Sequence, residues 1–252
     1  MRRILLTVEY DGTAYAGWQR QSNALSVQQV LEEKLSRLTK APVTLHGASR
    51  TDAGVHALGQ SAHFDTESAI PADKFSYAVN TMLPEDIRVR ASRQVPETFH
   101  ARFSTKGKRY RYLMHAAPHA GALDRLTHAH VIYPLDVEAM DREARTLIGT
   151  HDFAAFAASG SVVKDTVRTL YSARVERREE EVCLTIEGSG FLYNMVRIIA
   201  GTLIGVGSGK LRPGAFERAI ASGNRLDLGV TAPARGLTLM EVFYDPKDLA
   251  LK

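Results

Sequence analysis

Residues 47–57 read Gly-Ala-Ser-Arg-Thr-Asp-Ala-Gly-Val-His-Ala, which places Arg50, Asp52 and His56 in one short stretch among small neighbours. Ala53 and Gly54 let another backbone or a ligand come close. An aspartate held ionised by a nearby arginine can act as a nucleophile, because the opposite charge lowers its pKa. The same residues also suit an Asx-turn anchored by Arg50, with His56 as a structural histidine. On residue types alone, that plainer reading is the favoured one.

Other candidate chemistry fails on spacing. Residues 205–210, Gly-Val-Gly-Ser-Gly-Lys, look like a phosphate-binding loop, but Ile204 holds the first glycine position and Leu211 follows the lysine. Residues 47–51 lack the final glycine of a serine nucleophile elbow. His128 and His130 share a strand face as half of a metal site, yet no acid or thiol stands at a useful spacing, so no metal is expected. The single cysteine, Cys183, excludes an internal disulfide framework and a cysteine-rich zinc site. Between Val182 and Leu184 it reads as a half-buried strand residue.

The chain has 252 residues, 44% hydrophobic and 24% charged, which suits one large or two modest domains and argues against wholesale disorder. The apolar run at 198–206 is broken by Gly201 and Gly205 and falls short of the roughly 20 residues that span a bilayer. Residues 1–6 are basic then apolar, but Glu9, Tyr10 and Asp11 interrupt any signal-peptide core. A cytoplasmic protein is expected. Between Arg88 and Tyr112 stand eight basic residues and one acid, Glu97, so this segment carries +7 where the whole chain carries +4. Phe99, His100, Phe103, Tyr110 and Tyr112 lie among those charges. Cations that bind phosphates, interleaved with rings that stack on bases, fit a nucleic-acid partner slightly better than a charged strand edge.

The elements that must position these residues follow from periodicity. Alternation at 4–10 predicts a strand, and Ser26 caps a helix with Val27, Val30, Leu31, Leu35 and Leu38 on one stripe. Strands at 43–49 and 60–65 follow, then a helix opened by Pro71 with Phe75, Ala78, Val79 and Met82 inward, and a strand at 87–95. The second half repeats the pattern. A strand at 108–115 precedes a helix capped by Asp136 that carries Val137, Met140, Ala144, Leu147 and Ile148. Strands near 169–175 and 182–187, a helix at 193–206, a short helix from Pro213 and a strand at 237–244 complete it. Twice β-α-β-β-α-β is the ferredoxin-like split unit repeated, an α+β fold. Two such units could join their sheets and leave a groove between them.

The loop at 47–57 strongly resembles the catalytic motif of the tRNA pseudouridine synthase A family. The resemblance extends over nearly the whole chain, through Glu9-Tyr10-Asp11-Gly12, Gly17-Trp18-Gln19-Arg20-Gln21 and Ser26-Val27-Gln28. It continues at Asn80, Leu83-Pro84, Asp86-Ile87, Phe99-His100-Ala101-Arg102-Phe103-Ser104 and Lys108-Arg109-Tyr110-Arg111-Tyr112. Phe191-Leu192-Tyr193-Asn194-Met195-Val196-Arg197, Thr231-Ala232-Pro233 and Gly236-Leu237 close the set.

The resemblance implies the pseudouridine synthase fold: two ferredoxin-like halves sharing a largely antiparallel mixed sheet, helices on one side, and a central active-site cleft. It implies an N-terminal lobe, residues 1–105, carrying the Asp loop, and a C-terminal lobe, residues 106–252, carrying the Tyr strand and the Arg helix. The implied reaction turns uridine into pseudouridine at positions 38, 39 and 40 of the tRNA anticodon stem-loop, without cofactor or metal. Asp52 takes the place of the family's nucleophile, and attack at ribose C1′, attack at uracil C6 and a glycal route all stay open. Arg197 pairs with that aspartate, Tyr110 stacks on the uracil, and Tyr112 has a core role. Arg50 helps hold the nucleotide out of its stack, and Leu239 packs against the base. Asp11, Gln19, Arg20, Arg102, Lys106, Lys108, Arg109, Arg111 and Arg168 are expected RNA contacts, about half of them real. A homodimer engaging one tRNA is implied. An RNA-binding module without chemistry and a hydrolase using Asp52 and His56 are the competing readings.

Overall fold

The computed structural model describes residues 1–157 and 165–251. These residues form two compact units, Met1–Gly107 with Leu239–Lys252, and Lys108–Thr238.

In the first unit, β1 (Arg2–Tyr10) buries Ile4, Leu6, Val8 and Tyr10, as alternation requires. The Ser26 side chain accepts the Gln29 N–H and starts α1 (Val27–Thr39). Val27, Val30, Leu31 and Leu35 face inward, but so do Gln28 and Glu32, while Leu38 is half-buried. The two polar residues have a function there. Glu32 accepts the Leu45 N–H at 3.0 Å and Gln28 donates to the Leu45 carbonyl at 3.0 Å. Side chains thus take the backbone groups that a neighbouring strand would have used. The expected strand at 43–49 shrinks for that reason to β2 (His46–Gly47).

β3 (His56–Thr66) runs antiparallel to β1, with Phe64 opposite Ile4. The helix expected from Pro71 begins as a 3-10 turn, Ala72–Lys74, and continues as α2 (Phe75–Asn80). Asn80 locks it to β4 (Ile87–Val95) by accepting the Val89 N–H and donating to the Val89 carbonyl. Strands run in the order β4-β1-β3-β10, where β10 (Leu237–Tyr244) belongs to this unit from Leu239 onward. β2 lies opposite Ala62 and His63 of β3. Further along, a Cβ on Gly59 would stand 2.4 Å from the Met240 carbonyl oxygen, so only glycine admits β10 there.

The second unit holds β5 (Thr105–Ala116, here from Lys108), β6 (Ala129–Val131), α3 (Val137–Arg145), β7 (Gly149–Asp152), β8 (Val167–Arg178), β9 (Glu181–Gly188), α4 (Met195–Gly207) and α5 (Ala215–Ser222). β5, β9, β8 and β7 are antiparallel neighbours in that order, and β6 lies parallel to β5. β6 and β7 are too short for a period-two pattern to show in sequence. Asp136 caps α3 as expected, accepting the Ala139 N–H at 2.8 Å. The helix ends at Arg145, so Ile148, expected on its inner stripe, lies beyond it and is exposed.

Glu143 is buried on α3. Its carboxylate accepts the Gly214 N–H at 2.7 Å and the Phe216 N–H at 3.0 Å, and so supplies the cap that Gly214 lacks at the start of α5. Glu143→Ala is expected to cost about 2 kcal/mol by leaving these donors unpaired. A thermal melt equal to wild type would refute this. The β-α-β-β-α-β order thus appears in residues 2–95 and, with β6, β7 and α5 added, again in 105–244. Among the described residues, no helix is long and apolar enough to cross a membrane.

Candidate active site

Asp52 lies on the connection from β2 to β3, and that connection is braced on both flanks. Upstream, Gln60 is fully buried, accepts the Ser49 N–H at 3.2 Å and donates to the Ser49 carbonyl at 2.7 Å. Thr51 receives the Trp18 N–H on its carbonyl and meets the Tyr10 hydroxyl at 2.7 Å. Downstream, the Val55 N–H closes a turn onto the Asp52 carbonyl, and the Gly54 N–H, at φ +74°, reaches the Tyr15 carbonyl.

Two glycines let the 12–18 segment lie against this loop. A Cβ on Gly12 would stand 2.0 Å from the Val55 carbonyl oxygen. One on Gly17, which sits at φ +86°, would stand 2.4 Å from that of Thr51. Asp52 is half-exposed, while Thr51 and Val55 beside it are buried. His56 is buried, and its Nδ1 lies 3.0 Å from the Gly12 N–H and 3.1 Å from Asp11 Oδ1. Sequence reading missed Gln60 and Tyr10 as braces, because neither carries a spacing signal.

The other sequence-predicted residues of this unit differ in what they already hold. Arg50, Arg102 and Lys106 are exposed and Leu239 is fully buried. Asp11 accepts the Thr13 N–H and hydroxyl. Burial raises its pKa, but these bonds and the His56 contact outweigh that and hold the carboxyl below its ordinary value. Gln19 donates to Gln28 at 3.0 Å, and Arg20 pairs with the buried Glu32 at 3.0 Å.

In the second unit, the period of two on β5 separates residues that sequence reading grouped together. Lys108, Tyr110 and Tyr112 share one face, and Arg109 and Arg111 point to the other. Tyr110 is buried edge-on to Phe191 at 5.2 Å. Tyr112 is fully buried and donates to the Pro233 carbonyl at 2.8 Å, with burial pushing its pKa up so that it stays protonated. Arg109 pairs with Glu187 at 2.6 Å. Arg111 Nε is buried and, among the described residues, has no hydrogen-bond partner. Burial also raises the Cys183 pKa, which suits the packing role read from its sequence. Arg168 donates to the Asp165 and Val167 carbonyls.

Arg197 sits in the first turn of α4. Its Nε donates to the Ala232 carbonyl and one terminal nitrogen to Asn194 Oδ1, each at 2.8 Å. The segment it holds lies directly on the helix, since a Cβ on Gly201 would stand 1.8 Å from the Val230 carbonyl oxygen. A cation at a helix N-terminus opposes the macrodipole, and the first turn of α4 carries no acid to offset it. The Arg197 guanidinium and the positive end of α4 thus lie together.

His128 Nε2 lies 2.9 Å from Glu181 and His130 Nε2 lies 2.8 Å from the Ala117 carbonyl oxygen. Among the described residues, no group of three or more His, Cys, Asp or Glu side chains is arranged to hold a metal ion.

A family model described as tRNA pseudouridine synthase matches residues 6–104 and 144–245. Those segments contain the Asp52 loop and the Arg197 helix, while Tyr110 falls between them. The chain is 52% identical over 245 residues to "tRNA pseudouridine synthase A" of Ruminiclostridium cellulolyticum, covering 97% of this chain and 100% of the relative. It is 52% identical over 244 residues to the protein of the same description from Acetivibrio thermocellus, again covering 97% and 100%. Among solved structures, one titled "Crystal Structure of a Cbf5-Nop10-Gar1 Complex" is 12% identical with a TM-score of 0.40, covering 96% of this chain and 50% of that one. A likeness that slight adds nothing to the assignment, which rests on the sequence relatives. The family model and the relatives define an isomerase of the pseudouridine-forming class. Within it, the chain belongs to the tRNA pseudouridine synthase family.

Proposed function

We propose that this chain converts uridine to pseudouridine in the tRNA anticodon stem-loop, at positions 38, 39 and 40, with Asp52 as the reacting carboxylate. The observation that carries the reading is the bracing of the matched Asp52 loop by buried Gln60, Tyr10 and Trp18, which leaves Asp52 itself half-exposed. In the reaction the C1′–N1 bond breaks and a C1′–C5 bond forms. C5 loses its hydrogen to solvent and N1 gains a proton, so no redox partner, metal or cofactor is required.

The N-terminal lobe, residues 1–105, supplies Asp52 and Arg50 in this reading. The second half of the chain, residues 106–252, supplies Tyr110, Arg197 and Leu239, the last from the strand segment that belongs to the first unit. Arg197 keeps the carboxylate ionised, aided by the positive end of α4. Tyr110 stacks on the uracil and takes part in proton transfer at C5. Arg50 fills space left by the flipped nucleotide, offsetting part of an unstacking cost of a few kcal/mol. Leu239 packs on the base. Asp11, Gln19, Arg20, Arg102, Lys106, Lys108, Arg109, Arg111 and Arg168 are proposed RNA contacts. Among them the exposed Arg102 and Lys106 can meet phosphates most readily, and Arg20 must share its charge with Glu32. The enzyme acts as a cytoplasmic homodimer in this proposal.

The test is release of tritium from tRNA labelled at uracil C5. Release by the wild-type chain is expected, and its absence at saturating enzyme would overturn the reading.

A further inference from the structure

Three histidines from distant parts of the first unit converge beside an exposed ring. His46 and His63 stack with centroids 5.0 Å apart, and His100 lies 4.7 Å from His63 and 5.6 Å from His46. The Phe103 ring follows, 4.4 Å from His100, with the Arg102 guanidinium 5.8 Å from its centroid. Phe103 is 76% exposed.

The turn that carries it is pinned. The Ser104 N–H reaches the His100 carbonyl, and the Ser104 hydroxyl accepts the His100 N–H at 3.0 Å. The Arg102 N–H goes to His100 Nδ1 and the Ala101 N–H to His63 Nδ1. The Tyr244 hydroxyl donates to the Ala101 carbonyl. The contact with His100 covers only a minor part of the Phe103 ring, and the rest of this large apolar face is left in water. Both accepting Nδ1 atoms require unprotonated imidazoles on that side. Burial, and then the charge of Arg3 with the neighbouring imidazoles, drives the His63 pKa down to about 3, and burial lowers that of His100. His63 and His100 are therefore uncharged at neutral pH, with Arg102 as the adjoining cation. A flat face next to a single guanidinium complements a nucleobase and its phosphate.

We propose that the Phe103 face, backed by His100, His63 and His46 and flanked by Arg102, is a stacking platform for an unpaired base of the bound tRNA. The platform rests on the proposed function for its ligand and deepens it, adding a positioning contact outside the Asp52 loop. Its geometry is pre-organised by the turn, so little ordering entropy is lost on binding.

The experiment measures tRNA affinity and steady-state kinetics for wild type, Phe103→Ala, Phe103→Leu and Phe103→Trp, with melts alongside. Phe103→Ala and Phe103→Leu are expected to raise Kd and KM about five- to hundred-fold, the range of one lost base stack. Phe103→Trp should stay within a few-fold of wild type. The salt dependence of binding should keep its slope in the Phe103 variants and lose about one unit in Arg102→Gln. Unchanged affinity in Phe103→Ala overturns the platform, and so does full affinity in Phe103→Leu, which would make the contact merely apolar. These failures are separable from failure of the function itself, which shows as absent tritium release by the wild-type chain.

Discussion

Asp52→Asn is expected to reduce tritium release by about 10³-fold or more while tRNA affinity stays within a few-fold of wild type. The amide has nearly the shape of the carboxylate, and the loop is held by groups that the substitution does not touch. The Val55 N–H bonds to the residue 52 carbonyl, Gln60 grips Ser49, and Thr51 keeps its contacts to Tyr10 and Trp18. What changes is the charge and the nucleophile. An aspartate that served only to form a turn would tolerate the amide, since asparagine makes the same turn. Substantial activity in the Asn variant would therefore return Asp52 to the structural role that residue types alone favour. A collapse of melting temperature would show that the loop, and not the chemistry, had been lost.

Removing Arg197 should have two separable consequences. Arg197→Ala deletes the donors to the Ala232 carbonyl and to Asn194, leaving the buried Ala232 group unpaired, at about 1–3 kcal/mol. Arg197→Lys keeps a charge but not the fork that serves both acceptors, so it should recover only part of the stability. The catalytic consequence shows in the pH profile. In the proposed reaction Arg197 favours the ionised carboxylate, so its loss should raise that carboxylate's pKa and move the acid limb of kcat/KM to higher pH. A purely structural arginine would lower the melt and leave that limb in place. Activity at the pH optimum should fall at least about 100-fold in the Ala variant.

The histidine ladder makes its own statement about stability. His63 has a folded-state pKa of about 3, depressed chiefly by burial and then by Arg3, against about 6.5 when unfolded. The unfolded state therefore binds the extra proton. Stability from this group is complete above about pH 6.5 and is lost as pH falls toward 3, with a limiting slope of about 1.4 kcal/mol per pH unit. His63→Gln keeps an acceptor for the Ala101 N–H and should flatten the urea midpoint against pH across that window. An unchanged slope would contradict the assignment.

Much of this arrangement is legible in order along the chain. The strands at 87–95 and 237–244 occur with the expected bounds, and Ser26 and Asp136 cap the helices they were expected to cap. Such features depend on neighbours within a few residues, where side-chain type and spacing carry the physics. The opposing faces of Tyr110 and Arg111 also follow from a period of two, although a list of cations gathered by charge ignores it. Partners remote in sequence leave no such trace. Nothing near Leu45 announces that Gln28 and Glu32 will take its backbone groups, and nothing near Gly214 announces Glu143. Arg20 reads as a spare cation until α1 brings Glu32 to it.

The sequence by itself determined the family, the α+β grammar and the chemical types available at Asp52, Tyr110 and Arg197. Tertiary structure alone decided which polar groups are already committed, that β10 from Leu239 joins the first unit, and that His46, His63 and His100 stand together behind Phe103. The reason is that propensity and periodicity act over a turn or a strand, whereas hydrogen bonds and ring contacts require two distant segments to occupy one place.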